Sequence, residues 1–222
     1  MPAWAARRAR WCGMARRSTP RPGLNEAAVV RAASDLVDAE GIEALALARL
    51  AERLGVRTPS LYNHVAGLDG VRGGLAVYGI RELGAHLTRA AVGRSGEDAV
   101  VALAESYRRF AKERPGLYAA SLRAPEPGDE EAAAASEEVM GVVRAVLAPY
   151  GLRGAAETHQ IRAFRSLAHG FVSLELAGGF GLPVDIDESF RHLIGLFLAA
   201  LRVDAAATDR PTSTPTPEGT IR

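Results

Sequence analysis

Residues 46–65 read ALARLAERLGVRTPSLYNHV. The second half of this stretch carries two hydroxyls (Thr58, Ser60), a phenol (Tyr62), an amide (Asn63) and an imidazole (His64), with Arg57 just ahead of them. Such groups hydrogen-bond base edges and phosphates, and an asparagine amide can pair bidentately with adenine. A helix N-terminus with an arginine beside it also favours phosphate. Other chemistry finds little support. The histidines His64, His86, His159, His169 and His192 show no H-x3-H spacing, so no metal site is expected. No G-x-S-x-G, P-loop or G-x-G-x-x-G occurs, and Gly178-Gly179-Phe180-Gly181 follows a helical stretch rather than a strand. An enzyme is therefore not expected, and no cofactor is implied.

The elements that must position these groups are two short helices. In the first, over 46–54, Leu50, Ala51 and Leu54 share an apolar face, and Arg49 and Arg53 stand outside as further phosphate candidates. Gly55 ends it, Val56 plugs the angle, and the second helix over 58–65 turns Leu61 and Val65 inward, with Pro59 in its first turn where a missing N–H does no harm. Spacing alone fits an ordinary αα-hairpin with a polar outer face equally well.

The remaining pattern is helical throughout. Asn25 caps a helix in which Ala28, Val29, Ala32, Leu36 and Val37 recur at helical spacing before Gly41. Further segments are expected near 68–91, 97–114, 115–123, 129–150, 155–178 and 187–203, the last capped by Asp187. No segment alternates like a strand, so the fold class is all-α. Four parts follow: a basic flexible arm (1–23), a small helical domain (24–66), a larger helical domain (67–203) and a Thr/Pro-rich tail (204–222) expected to be disordered. Met14 opens MARRSTPRPGLN, which reads as a second start, with residues 1–13 an upstream extension. Hydrophobic residues make up 48% and charged residues 24% of the 222, ordinary for a globular protein, and the net charge is +1. The arm holds six arginines and no acid, so the rest of the chain is net acidic, and any attraction to nucleic acid must be local. A single cysteine, Cys12, fits a reducing cytoplasm, and no apolar run reaches the roughly 18–20 residues of a membrane span.

GVRTPSLYNHV after LARLAERL resembles the recognition segment of the TetR family of transcriptional regulators. Leu50, Ala51, Leu54, Gly55, Val56, Leu61, Tyr62, His64 and Val65 carry the likeness. The resemblance implies phosphate contacts from Tyr62 and His64, with Thr58, Pro59, Ser60 and Asn63 facing bases. Ala46 stands where the family has a Ser or Thr cap, and Leu68 stands near where it has a Lys. The basic arm is a further candidate for the minor groove. Downstream, AHGFVSLELAGGFGLPVDIDESF (168–190), Arg-Pro-Gly-Leu-Tyr (114–118) and Ala-Pro-Glu-Pro-Gly (124–128) resemble one C-terminal subclass of the same family, with Ala168 replacing its usual tryptophan before His169-Gly170.

What the resemblance implies is an N-terminal helix-turn-helix domain and a helical effector-binding and dimerisation domain. The last two long helices would form a four-helix homodimer interface through Leu167, Gly170, Phe171, Leu174, Leu193, Phe197 and Leu201. A ligand pocket would draw on Tyr107, Phe110, Tyr118, Leu122, Met140, His159 and Arg162. The implied function is a repressor on a palindromic double-stranded operator, released by a small-molecule effector. The alternative is a ligand-independent DNA-binding regulator acting through protein contacts.

Overall fold

Asn25 starts the first helix as its type predicts. Its Oδ1 accepts the Ala28 N–H at 2.8 Å, and α1 runs Glu26–Glu40, ending as the Gly41 N–H donates to the Val37 carbonyl. The computed structural model describes residues 24–122, 125 and 127–208, so the arm, the possible start at Met14 and the tail beyond 208 lie outside the described residues. After a 3-10 turn at Ile42–Ala44 come α2 (Leu47–Leu54), α3 (Thr58–Leu61), α4 (Gly67–Ala91), α5 (Gly96–Glu113) and α6 (Pro115–Ser121). They are followed by α7 (Glu130–Leu147), a 3-10 turn at Ala148–Tyr150, α8 (Ala155–Leu176) and α9 (Ile186–Thr208). Among the described residues there is no strand, and no helix is long and apolar enough to cross a membrane.

Helices α1–α3 and the start of α4 form a small head around Val29, Leu36, Leu50, Leu61, Val71 and Leu75, all buried. The rest of α4 packs against α5, α6 and α7, so one apolar cluster runs from Val29 in the head to Leu201 in α9. This continuity ties the head to the body without a flexible linker between them.

Most helix ends fall within three residues of the sequence reading, and three features depart from it in a way that matters. The second short helix was expected over 58–65, but α3 stops at Leu61. The chain goes on as a hydrogen-bonded turn, with the His64 and Val65 N–H groups donating to the Leu61 carbonyl at 2.9 and 3.0 Å. Helix α9 continues through 204–208, where disorder was expected, because Ala205, Ala206 and Ala207 are strong helix formers and Gln160 Nε2 donates to Asp204. The cap of α9 is Asp185, whose Oδ1 accepts the Glu188 N–H at 2.8 Å, rather than Asp187.

Asp187 instead joins a charged staple that fixes the α8–α9 connection. The Arg108 guanidinium lies over the adjoining rings of Phe171 and Phe190, at 5.7 and 5.0 Å from their centroids. It donates to both oxygens of Glu175 at 2.7 and 2.6 Å and pairs with Asp187 at 2.7 Å, while Lys112 reaches Glu175 at 2.7 Å. The hydrogen bonds from Arg108 hold the Glu175 carboxyl below its ordinary value of 4.5. The pair's stabilisation is thus complete above 4.5 and drains away as pH falls through the lower folded value. The thermal midpoint is expected to drop as pH falls from neutral into the carboxylate range. Glu175→Gln is expected to start lower, as removal of one partner from a buried pair demands, and to drop less. An acid transition as steep in Glu175→Gln as in the parent would contradict this role.

Candidate nucleic-acid interface

Gly55 makes the corner between α2 and α3. It adopts the left-handed conformation (φ 68°, ψ 32°), donates to the Glu52 carbonyl at 3.1 Å, and the Val56 N–H closes on Ala51 at 2.9 Å. A side chain at this φ would be strained, which is why the corner carries glycine. Leu50 and Leu61 are fully buried on the two sides of the corner, where α2 packs on both α1 and α3.

With Leu61 and Val65 facing in, the intervening polar residues face out. Tyr62 is 61% exposed, Arg57, Pro59 and Asn63 are exposed, and Thr58, Ser60 and His64 are half-buried. None of the side chains of Thr58, Ser60, Tyr62, Asn63 and His64 has a hydrogen-bond partner within the described residues. A contiguous strip of donors and acceptors without partners in the protein is thus presented on one edge of the head. Arg49 is paired with Glu40 at the end of α1, which links α2 to α1 while leaving the arginine side chain exposed. Arg53 remains exposed beside the strip. Ala46 provides no side-chain cap to α2, as its type requires.

The expected ligand residues divide. Tyr107, Phe110 and Tyr118 are buried in the body and Leu122 is half-buried at its edge. Met140, His159 and Arg162 are exposed and do not join them. Helix α8 buries Phe164, Ala168 and Val172, and that choice of face turns His159 and Arg162 outward. Inside the body a line of four polar groups runs from α5 to α8. The Tyr118 hydroxyl lies 3.1 Å from that of Tyr107 and 2.7 Å from His169 Nδ1, and Ser173 Oγ follows at 3.4 Å from the same ring. Burial pushes both phenols above their ordinary value, so they stay neutral and hydrogen-bonding throughout the physiological range. The spacing of α8 places His169 near one face with His159, Arg162 and Ser166; Ser173, one turn further on, is the member that spacing does not single out. Among the described residues no cluster of His, Cys, Asp or Glu is arranged to hold a metal.

The expected dimer residues also divide. Phe197 and Leu201 are buried within the subunit, and Phe171 stacks on Phe180 and Phe190 at 4.7 and 5.0 Å. These residues build the subunit's own core because α9 turns Phe190, Ile194, Phe197, Leu198 and Leu201 toward α5 and α8. Leu167 and Leu193 are half-buried. Gly170 and Leu174 stay outside, joined on α9 by Leu196, Ala200 and Val203, which the sequence reading omitted.

Between head and body, the Arg-Pro-Gly-Leu-Tyr stretch does specific work. Arg114 donates to the Asp38 carboxylate and, at 2.7 Å, to the Ser34 hydroxyl, both on α1. The other oxygen of Asp38 accepts the Leu117 N–H at 2.9 Å. Gly116 lies so close to α1 that a Cβ there would fall 2.1 Å from the Val37 carbonyl oxygen.

Comparison with known proteins agrees with this architecture. Residues 100–197 match the family described as "Tetracyclin repressor-like, C-terminal domain". The HTH-type transcriptional regulator YobS of Bacillus subtilis is 35% identical over 187 residues, covering 84% of this chain and 97% of its own. The HTH-type transcriptional regulator Rv0681 of Mycobacterium tuberculosis is 38% identical over 190 residues, covering 85% of this chain and 86% of its own. A solved protein of unknown function from Rhodococcus superposes with a TM-score of 0.71 at 21% identity, covering 83% of this chain and 99% of that one, which shows the shared fold. Identity at this level along nearly the whole of two such regulators places the chain in the TetR family of DNA-binding transcriptional regulators.

Proposed function

We propose that the protein is a repressor that binds a palindromic operator as a homodimer and releases it when a small molecule occupies the body. The observation that carries the DNA-reading part is the outward-facing polar strip at residues 57–64, held there by the burial of Leu61 and Val65. A short element bearing hydroxyls, a phenol, an amide and an imidazole suits the major groove, with Tyr62 and His64 on phosphates and Asn63 toward base edges.

The dimer reading rests on the outer face of α8 and α9. Leu174 and Leu196 are 53% and 57% exposed, and Ala200 and Val203 extend the α9 seam at steps of four and three residues. Gly170 and Gly195 on these helices have open space where a side chain would be, which permits close helix approach. Exposed apolar residues grouped in this way mark an association surface. A two-fold pairing of that face would set two heads apart and demand a palindromic site.

For the release step, an effector can shift the dimer only by binding its two states unequally. The Tyr107–Tyr118–His169 line supplies polar groups that such a ligand could displace or borrow. The tight burial of Tyr107, Phe110 and Tyr118 also fits a body that is closed without any ligand, and this favours the second reading, a regulator acting through protein contacts. A thermal-shift screen of small molecules, followed by anisotropy on bound operator, separates the two. A hit that raises the midpoint and lowers operator affinity is the expected result. A stabilising hit that leaves operator affinity unchanged would contradict effector release.

A further inference from the structure

We propose that Asp38 and Arg114 are positioning residues for DNA reading: their clamp fixes the angle of the head on the body. The two residues are 76 positions apart and meet where α6 crosses the end of α1. Three hydrogen bonds tie the junction. Arg114 spans Asp38 and Ser34, and Asp38 divides its two oxygens between that guanidinium and the Leu117 N–H at 2.9 Å. Ser34 is 1% exposed, so the clamp reaches into the interior. No side chain cushions the contact, because Gly116 lies directly on the Val37 carbonyl. On its other side, α6 also meets α4 closely: a Cβ on Gly79 would fall 2.8 Å from the Leu117 carbonyl oxygen.

The helix is therefore gripped between two others with no slack. The next residue, Tyr118, is hydrogen-bonded to α5 and α8 in the body. The head cannot rotate on the body without opening the Asp38–Arg114 pair or dragging Tyr118. A charged pair with a backbone partner resists such opening more than apolar contacts alone, since parting it strands half-buried charges. Under the dimer reading above, a fixed head angle means a fixed distance between two recognition segments. The clamp then selects operators by half-site spacing.

The test uses Asp38→Asn, which keeps an acceptor for the Leu117 N–H, and Arg114→Met, which keeps the side chain's length. Arg114→Lys serves should Arg114→Met fail to fold. Glu131→Gln, which removes an exposed ion pair to Arg81 inside the body, is the control. Spin labels are placed at Glu43→Cys on the head and Glu138→Cys on the body in a Cys12→Ser background, diluted with unlabelled protein, and the distance distribution is measured without DNA. A roughly twofold broader distribution in the clamp variants, with the control at parental width, is expected. A parental width in both clamp variants would overturn the proposal.

The second readout is affinity for duplexes whose half-sites are moved apart or together by two base pairs. The clamp variants are expected to lose about tenfold of the parent's preference for its own spacing while binding a single half-site as the parent does, a difference of about 1.4 kcal/mol. Broad distributions with an unchanged spacing preference would overturn the link to DNA reading. If the parent itself is monomeric and indifferent to spacing, the dimer reading fails, and the distance measurement alone decides the clamp.

Discussion

Arginine in place of Leu196 is expected to leave each subunit folded and to abolish the dimer. Leu196 is 57% exposed on α9, so in a lone subunit the new side chain extends into water, and such surface changes cost within about 0.5 kcal/mol. In the proposed two-fold interface the same arginine would be set against an apolar face and lose its water, a cost an unpaired charge does not recover. Each head then holds a half-site alone, and operator affinity is expected to fall by at least about 100-fold, or about 2.7 kcal/mol. Phe197→Ala is the matched comparison. That ring is buried and lies 5.7 Å from Phe164, so its loss is expected to cost about 3–5 kcal/mol of folding stability. Light scattering and urea unfolding on both variants distinguish the assignments. A dimeric Leu196→Arg would move the interface elsewhere.

Gly116→Ala is expected to destabilise strongly although alanine is the better helix former by up to about 1 kcal/mol. Its Cβ would fall 2.1 Å from the Val37 carbonyl oxygen, 2.2 Å from the carbonyl carbon and 2.6 Å from the Asp38 nitrogen. These are backbone atoms, which cannot swing aside as a side-chain end can. Helix α6 must then lift off α1 and take the Asp38–Arg114 clamp with it. A cost of about 3 kcal/mol, the upper part of the range for overpacking, is expected in urea unfolding. Gly73→Ala on α4 is the internal standard: nothing lies within 4 Å of its Cβ, and its φ is not positive. There alanine is expected to stabilise by about 0.5–1 kcal/mol. Opposite signs for one substitution at two helical glycines would locate the close contact. A gain at both would remove it.

The head was legible in the sequence because its signals are local. Asn25 and Gly41 bound α1, Gly55 sets the corner, and Leu61 and Val65 report which side of the second helix is buried. Even there α3 is only one turn long, because a turn closing on the Leu61 carbonyl keeps Val65 inward without a regular helix. The body was harder to read for a physical reason. Periodicity shows that α8 and α9 are apolar, but both helices carry more than one apolar face. It cannot tell a face that packs inside the subunit from one left over. Phe197 and Leu201 went inside, and Leu196, Ala200 and Val203 stayed out. Met140, His159 and Arg162 point away from the buried Tyr107, Phe110 and Tyr118 for the same reason, since residue type does not reveal orientation on a helix. Asp38, Ser34 and Arg114 were beyond local reading altogether. Each resembles a surface or helix residue until the fold brings α1 and α6 together.

The central claim, that residues 57–64 read DNA, is tested most directly by selecting bound duplexes from a random pool with the full-length protein and measuring the enriched sequence by fluorescence anisotropy. The account predicts one enriched palindrome, bound saturably and more weakly as salt rises. It further predicts that Tyr62→Ala weakens binding by about tenfold or more, near 1.4 kcal/mol, and that Asn63→Ala relaxes preference at a single position in each half-site. Enrichment of a sequence that the parent, Tyr62→Ala and Asn63→Ala all bind equally, with the same base preferences, would contradict it and place the reading surface elsewhere on the protein.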